Sequence, residues 1–148
     1  MSDTRKYYYL KLKDNFFDSD ELKIMEGMKD GYLYSNILLK LYLRSLKSNG
    51  KLIFNNRIPY NAEMLATITN HTVGTIKQAL VVFGELGLIE ILDNGTIYML
   101  DIQNFIGESS TEADRIRAYR NKIDKEKQSM IDANVTNVQH LYTRDRDR

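Results

Sequence analysis

Residues 60–100 constrain the chain most. A helical pattern over 61–68 breaks at Thr69-Asn70-His71, a second one runs over 73–86, and two short apolar runs follow, joined through Asp93-Asn94-Gly95. Helix, short turn, helix and hairpin in that order predict a helix-turn-helix followed by a wing. In the first helix Leu65 and Ile68 lie one turn apart, and Ala66 is small enough for a close crossing. Thr72 is the expected N-cap of the second, whose apolar positions Val73, Ile76, Leu80 and Phe83 make a core-facing stripe. Gly87 closes that helix. Asn94-Gly95 is the preferred pair for a two-residue type I′ hairpin, a register that sets Ile91 opposite Tyr98 and Ile89 opposite Leu100. The other hairpin face then mixes Leu88, Glu90, Leu92, Ile97, Met99 and Asp101, to be covered by an N-terminal strand or by a partner.

The rest of the chain reads as a scaffold for this unit. Residues 6–12 alternate, with Tyr8, Leu10 and Leu12 on one face and Tyr7, Tyr9 and Lys11 on the other, the period of a half-buried strand. These tyrosines are read as packing residues, because a DNA-nicking tyrosine works beside a metal held by clustered histidines, and His71 and His140 are far apart. Asp18 and Ser19 are N-cap candidates for a short helix that ends at Gly27 to Gly31; Asp18, Asp20 and Glu21 complement its dipole and are not read as metal ligands. Residues 32–47 form the next helix, a spine with Leu33, Ile37, Leu38, Leu41, Tyr42 and Leu46 around most of its surface. Its polar stripe is narrow: Asn36, Lys40, Arg44 and Lys47. A short strand, Leu52-Ile53-Phe54, precedes Pro59. Ser109 and Glu112 form a capping box for a basic helix to about Lys127, with Ile116, Tyr119 and Ile123 as a thin apolar stripe. The expected division is 1–108 for a winged-helix domain, 109–127 for the basic helix and 128–148 for a disordered linker or tail.

The chain holds 148 residues, 43% of them hydrophobic, which suffices for one core. It has no cysteine, so disulfides and thiolate metal sites are excluded, and no cofactor is expected. The first residues are polar and no stretch is apolar enough to span a bilayer, which predicts a cytoplasmic location. A Gly-x-x-x-x-Gly-Lys phosphate loop is missing, so any ATP-driven step belongs to another protein. A non-enzymatic domain is expected.

Net charge is +1, but it is unevenly spread. Lys77 stands against Glu63, Glu85, Glu90 and Asp93 within residues 60–100, whereas Arg115, Arg117, Arg120, Lys122, Lys125 and Lys127 follow closely upon one another. On the second helix of the pair, Gly74, Thr75, Lys77, Gln78 and Val81 fall outside the core stripe. Glutamine can contact adenine in two places, threonine serves several bases, and valine methyls can meet thymine. The candidate DNA-binding residues are therefore Thr72, Gly74, Thr75, Lys77 and Gln78 for bases and nearby phosphates, with Arg115, Arg117, Arg120 and Lys122 for sequence-independent affinity. The acidic tip at Asp93 argues against a wing that grips phosphate.

Lys6-Tyr7-Tyr8-Tyr9-Leu10-Lys11-Leu12, Asn15-Phe16-Phe17, Gly50-Lys51-Leu52, Gly87-Leu88-Ile89, and Phe105-Ile106-Gly107-Glu108 running into Ala113-Asp114-Arg115-Ile116-Arg117 resemble, in order and spacing, the N-terminal domain of phage and plasmid replisome organisers, or replication initiators. The similarity spans about residues 5–127. It implies a mainly helical α+β fold, a winged helix-turn-helix with a small antiparallel sheet. It also implies binding to double-stranded origin repeats, often as a homodimer, with a separate C-terminal region that recruits a helicase loader or helicase. That region is not recognisable here, which suggests a fragment or a shortened relative. Two other readings of the same residues stay open: a winged-helix transcription regulator, and a protein-interaction module like the winged helices of DnaD-type primosomal proteins.

Overall fold

The computed structural model describes residues 8–106 and 112–146. A 3-10 turn at Phe16–Asp18 leads into α1 (Asp20–Glu26) and α2 (Gly31–Ser45). A second 3-10 turn, Leu46–Ser48, feeds β1 (Lys51–Phe54) and β2 (Ile58–Pro59). Helices α3 (Ala62–Thr69) and α4 (Val73–Glu85) follow, then β3 (Ile89–Ile91), β4 (Ile97–Met99), α5 (Gln103–Ile106) and α6 (Glu112–Arg146). The four strands make one antiparallel sheet in the order β2-β1-β4-β3.

Helix α2 is the spine that its apolar pattern predicts. Ile37, Leu38 and Leu41 are fully buried and Tyr42 nearly so, against Leu65, Ile76, Phe83, Leu52 and Met99. Leu33, expected in the core, is exposed, as is Leu43, so the buried face is narrower than composition suggested. Ser19 caps α1 by accepting from the Leu22 N–H, as expected.

Residues 8–13 do not form the expected strand. The segment is fixed through Lys11, whose N–H donates to the Phe105 carbonyl at 2.9 Å, so it runs beside α5 and gains no sheet neighbour. Tyr8, Tyr9 and Leu12 are consequently exposed, against the packing role read for the tyrosines; Lys6 and Tyr7 lie outside the described residues.

The hairpin of β3 and β4 is shifted by one residue from the expected register. Ile91 pairs with Ile97, Glu90 with Tyr98 and Ile89 with Met99. A two-residue type I′ turn needs a positive φ at both central positions. Here Gly95 has φ +89°, while Asn94 is not among the residues with positive φ. Asn94 Oδ1 instead accepts from the Thr96 N–H at 3.0 Å, and the loop closes over three residues with the Gly95 N–H donating to Leu92 O. Because side chains alternate, the slip puts Ile89, Ile97 and Met99 on the core face and Glu90 and Tyr98 on the other.

That outer face is covered by α6, not by an N-terminal strand. Tyr119 and Ile123 are buried; the Tyr119 hydroxyl donates to Met99 O at 3.0 Å, and its ring meets Tyr98 edge-on. Lys51 pairs with Glu126 at 3.2 Å, and the Tyr98 hydroxyl donates to the same carboxylate. Gly50 makes this approach possible: at φ +101°, a Cβ there would overlap the Tyr119 hydroxyl. Ile116, read as part of the stripe, is exposed. Helix α6 also continues past Lys127 to Arg146 where a disordered tail was expected, consistent with the lack of Gly or Pro over 112–146. Ser109 of the expected capping box lies outside the described residues. Among the described residues no helix is long and apolar enough to cross a membrane.

Candidate nucleic-acid interface

Helices α3 and α4 are joined by Asn70, His71 and Thr72. Asn70 ends α3 in the left-handed conformation, and Thr72 begins α4 by accepting from the Thr75 N–H at 3.1 Å. The polar stripe of α2 holds this turn in place. Lys40 Nζ donates to the Thr69 carbonyl at 2.7 Å, neutralising the negative end of α3. Asn36 Oδ1 accepts from His71 Nε2 at 2.9 Å. Sequence reasoning missed both residues, because each acts on a partner about thirty positions away with no local signature.

His71 is held below its ordinary pKa, first by burial and then by the Lys40 ammonium. Its protonated form is thus disfavoured in the folded state relative to the unfolded one. The stability associated with neutral His71 is fully present above the unfolded value of about 6.5 and is lost as pH falls from there through the folded pKa. Denaturant midpoints measured at pH 7.5 and pH 5.5 are expected to differ more for the parent than for His71→Gln; equal differences would remove His71 from the pH response.

Across the turn, α4 buries a stripe rotated slightly from the expected one, since Val73 and Leu80 are only half-buried. Ile76, Ala79, Val82 and Phe83 are buried, while Gly74, Lys77, Gln78 and Val81 are exposed and Thr75 is half-buried. Thr72 and Thr75 are also joined hydroxyl to hydroxyl at 2.8 Å, so the cap uses part of their hydrogen-bonding capacity. The five candidates on α4 and its cap therefore share one surface, and Lys77 supplies its positive charge.

The four candidates on α6 do not share one surface. Arg120 reaches back to β3, pairing with Glu90 at 2.7 Å, and Lys127 holds the other oxygen of the same carboxylate. Burial pushes the Glu90 carboxyl up, but hydrogen bonding and attraction from Lys127 and Arg120 outweigh it and hold the pKa below the usual range. Arg117 pairs with Asp114 along its own helix at 3.4 Å and is otherwise solvated. Arg115 and Lys122 line the opposite side of the helix, beside Asn49. One of the four acidic residues of 60–100 thus has an internal purpose: Glu90 docks the basic helix. No sequence rule pairs residues thirty positions apart across a sheet and a helix.

A family model for the N-terminal phage replisome organiser matches residues 9–128. No curated protein and no solved structure matches the chain.

Proposed function

Because the chain belongs to the N-terminal phage replisome organiser family, its role lies in replication initiation, and we propose that within this role it is a winged helix-turn-helix domain that binds duplex repeats at an origin. One observation carries the reading. The turn between α3 and α4 is anchored from below by Lys40 and Asn36, so that α4 presents Lys77, Gln78 and Val81 to solvent from a rigid base. The element order supports it: α2, β1, α3, α4, β3, β4, with β4 between β1 and β3, is the order expected of a winged helix.

In this reading Thr72, Gly74, Thr75, Lys77 and Gln78 meet bases and adjoining phosphates, while Arg117 and Arg120 add sequence-independent attraction beside the hairpin. The hairpin packs α6 more than it probes a groove, since its tip, Asp93-Asn94-Gly95, carries no cation. Binding as a homodimer would place half-sites about one helical turn, or a multiple of it, apart. Loading of a helicase then falls to another region or partner. The acidity of residues 60–100 weighs less against DNA binding once Glu90 is matched by Arg120 and Lys127.

The test is Gln78→Ala on the origin repeat and on random duplex. A loss of about 1–3 kcal/mol confined to the specific site is expected. Equal losses on both would take Gln78 out of base readout, and a stable oligomer without duplex affinity at low salt would favour the primosomal interaction module instead.

A further inference from the structure

A second surface, at the sheet edge opposite β3, has the chemistry of a different ligand. Two adjoining recesses of about 750 and 270 Å³ share Lys47, Ser48, Ile53 and Asn56 in their walls and so form one groove beside β1 and the end of α2. Arg44, Lys47, Lys51 and Lys122 line it, and no Asp or Glu does. In a chain of net charge +1 this is a local excess that attracts a polyanion. Lys51 is partly neutralised by Glu126, but among the described residues no carboxylate pairs with Arg44, Lys47 or Lys122.

The aromatic residues of the groove narrow the choice of polyanion. Tyr8 is 49% exposed and Phe54 43%, and both line the groove. Lys47 Nζ lies 5.6 Å from the Tyr8 ring centroid and steadies that ring. Phe54 rests edge-on against Tyr60, at 6.2 Å between centroids. It stands at the base of a tight turn in which Asn55 and Asn56 both take positive φ, 52° and 57°, and the Arg57 N–H closes onto Phe54 O. The hairpin thus presents an aromatic side chain beside cations. Exposed rings next to unpaired cations suit bases that are free to stack and phosphates that follow them; a duplex keeps its base faces covered.

We propose that this groove binds a single nucleic-acid strand, with Tyr8 and Phe54 stacking on unpaired bases and Arg44, Lys47 and Lys122 holding the phosphates. The site is separate from the α4 surface and does not depend on it: no residue of α4 lines the groove.

Fluorescence anisotropy with the full chain tests this, using labelled oligothymidylate and oligouridylate of roughly 15 nucleotides and a random duplex. Tyr8→Ala and Phe54→Ala are each expected to weaken binding of the tighter-bound single strand by about 5- to 100-fold and to leave duplex affinity unchanged. Both side chains are outside the core, so the fold is retained. Arg44→Gln and Lys47→Gln should each flatten the salt dependence on the single strand by about 0.7 in log–log slope. Which oligonucleotide binds more tightly tells whether the strand is DNA or RNA. The proposal is overturned if neither single strand binds at low salt, if the aromatic variants bind like the parent while the charge variants do not, or if duplex and single strand weaken together. Gln78→Ala measured alongside keeps the two surfaces apart, since it should spare the single strand.

Discussion

Replacing Tyr119 by alanine is expected to destabilise the protein by about 3–5 kcal/mol, which for a chain of this size lowers Tm by on the order of 10 °C. The side chain is 5% exposed, meets Tyr98 edge-on, and gives its hydroxyl proton to the Met99 carbonyl at 3.0 Å. Truncation removes the ring from between α6 and the sheet and leaves that carbonyl without its partner. Tyr119→Phe removes only the hydrogen bond and should cost about 1 kcal/mol. Thermal unfolding of the pair measures how much of α6 docking is ring packing; equal losses would mean that the hydrogen bond dominates. The alanine variant has a second signature. The carboxyl of Glu90, depressed by Lys127 and Arg120, contributes stability that is present above its ordinary value of 4.5 and is lost as pH falls through the lower folded pKa. If Tyr119 keeps α6 seated, this acid-side loss becomes shallower in Tyr119→Ala, and hydrogen exchange in residues 112–127 becomes faster.

The two hairpins show how far turn chemistry reaches. Asn94-Gly95 carries the strongest local signal for a type I′ turn, yet Asn94 keeps a negative φ and uses its side chain on Thr96, so the loop gains a residue and the register slips. Asn55-Asn56, with no glycine, takes left-handed φ at both positions and closes the hairpin of β1 and β2 that sequence reading passed over. Asparagine enters that conformation more readily than most residues with a side chain, so the turn residues alone do not decide which pair takes it. The choice falls to packing: the slipped register sends Ile97 and Met99 into the core and Tyr98 to α6.

The candidate interface was legible where its determinants are local. The Thr72 cap, the burial of Ile76 and Phe83 and the solvent positions of Lys77, Gln78 and Val81 follow from spacing within one helix, whereas Ala79 and Val82 take the buried places expected for Val73 and Leu80. Its support was not legible. Lys40 on Thr69, Asn36 on His71 and Arg120 on Glu90 join residues that alternation and periodicity treat as unrelated surface positions. The tyrosines of the N-terminal segment failed for a related reason. Their alternation has the period of a strand, but a strand needs a neighbour, and the Lys11 N–H donates instead to the Phe105 carbonyl of α5. What alternation could not reveal is that the exposed Tyr8 would then stand beside Arg44 and Phe54.

Gly50→Ala should be as damaging as the loss of Tyr119, for two separable reasons. At φ +101° the backbone occupies a region that side chains rarely adopt, which costs on the order of 1–2 kcal/mol. The new Cβ would also overlap the Tyr119 hydroxyl and sit 2.6 Å from Ile102 Cγ2, an overpacking that adds about 1–3 kcal/mol. The Gly50 carbonyl meanwhile accepts from the Met99 N–H at 2.8 Å, so the strand pairing limits how far residue 50 can retreat. Combining Gly50→Ala with Tyr119→Ala removes the main overlap but not the backbone strain or the contact with Ile102. The double variant should therefore be less destabilised than the sum of the single changes, by about 1 kcal/mol or more, as residues in direct contact require. Urea unfolding of the four proteins measures the difference. Strict additivity would mean that Gly50 is needed for its φ alone, and that α6 does not depend on the missing Cβ to reach the sheet.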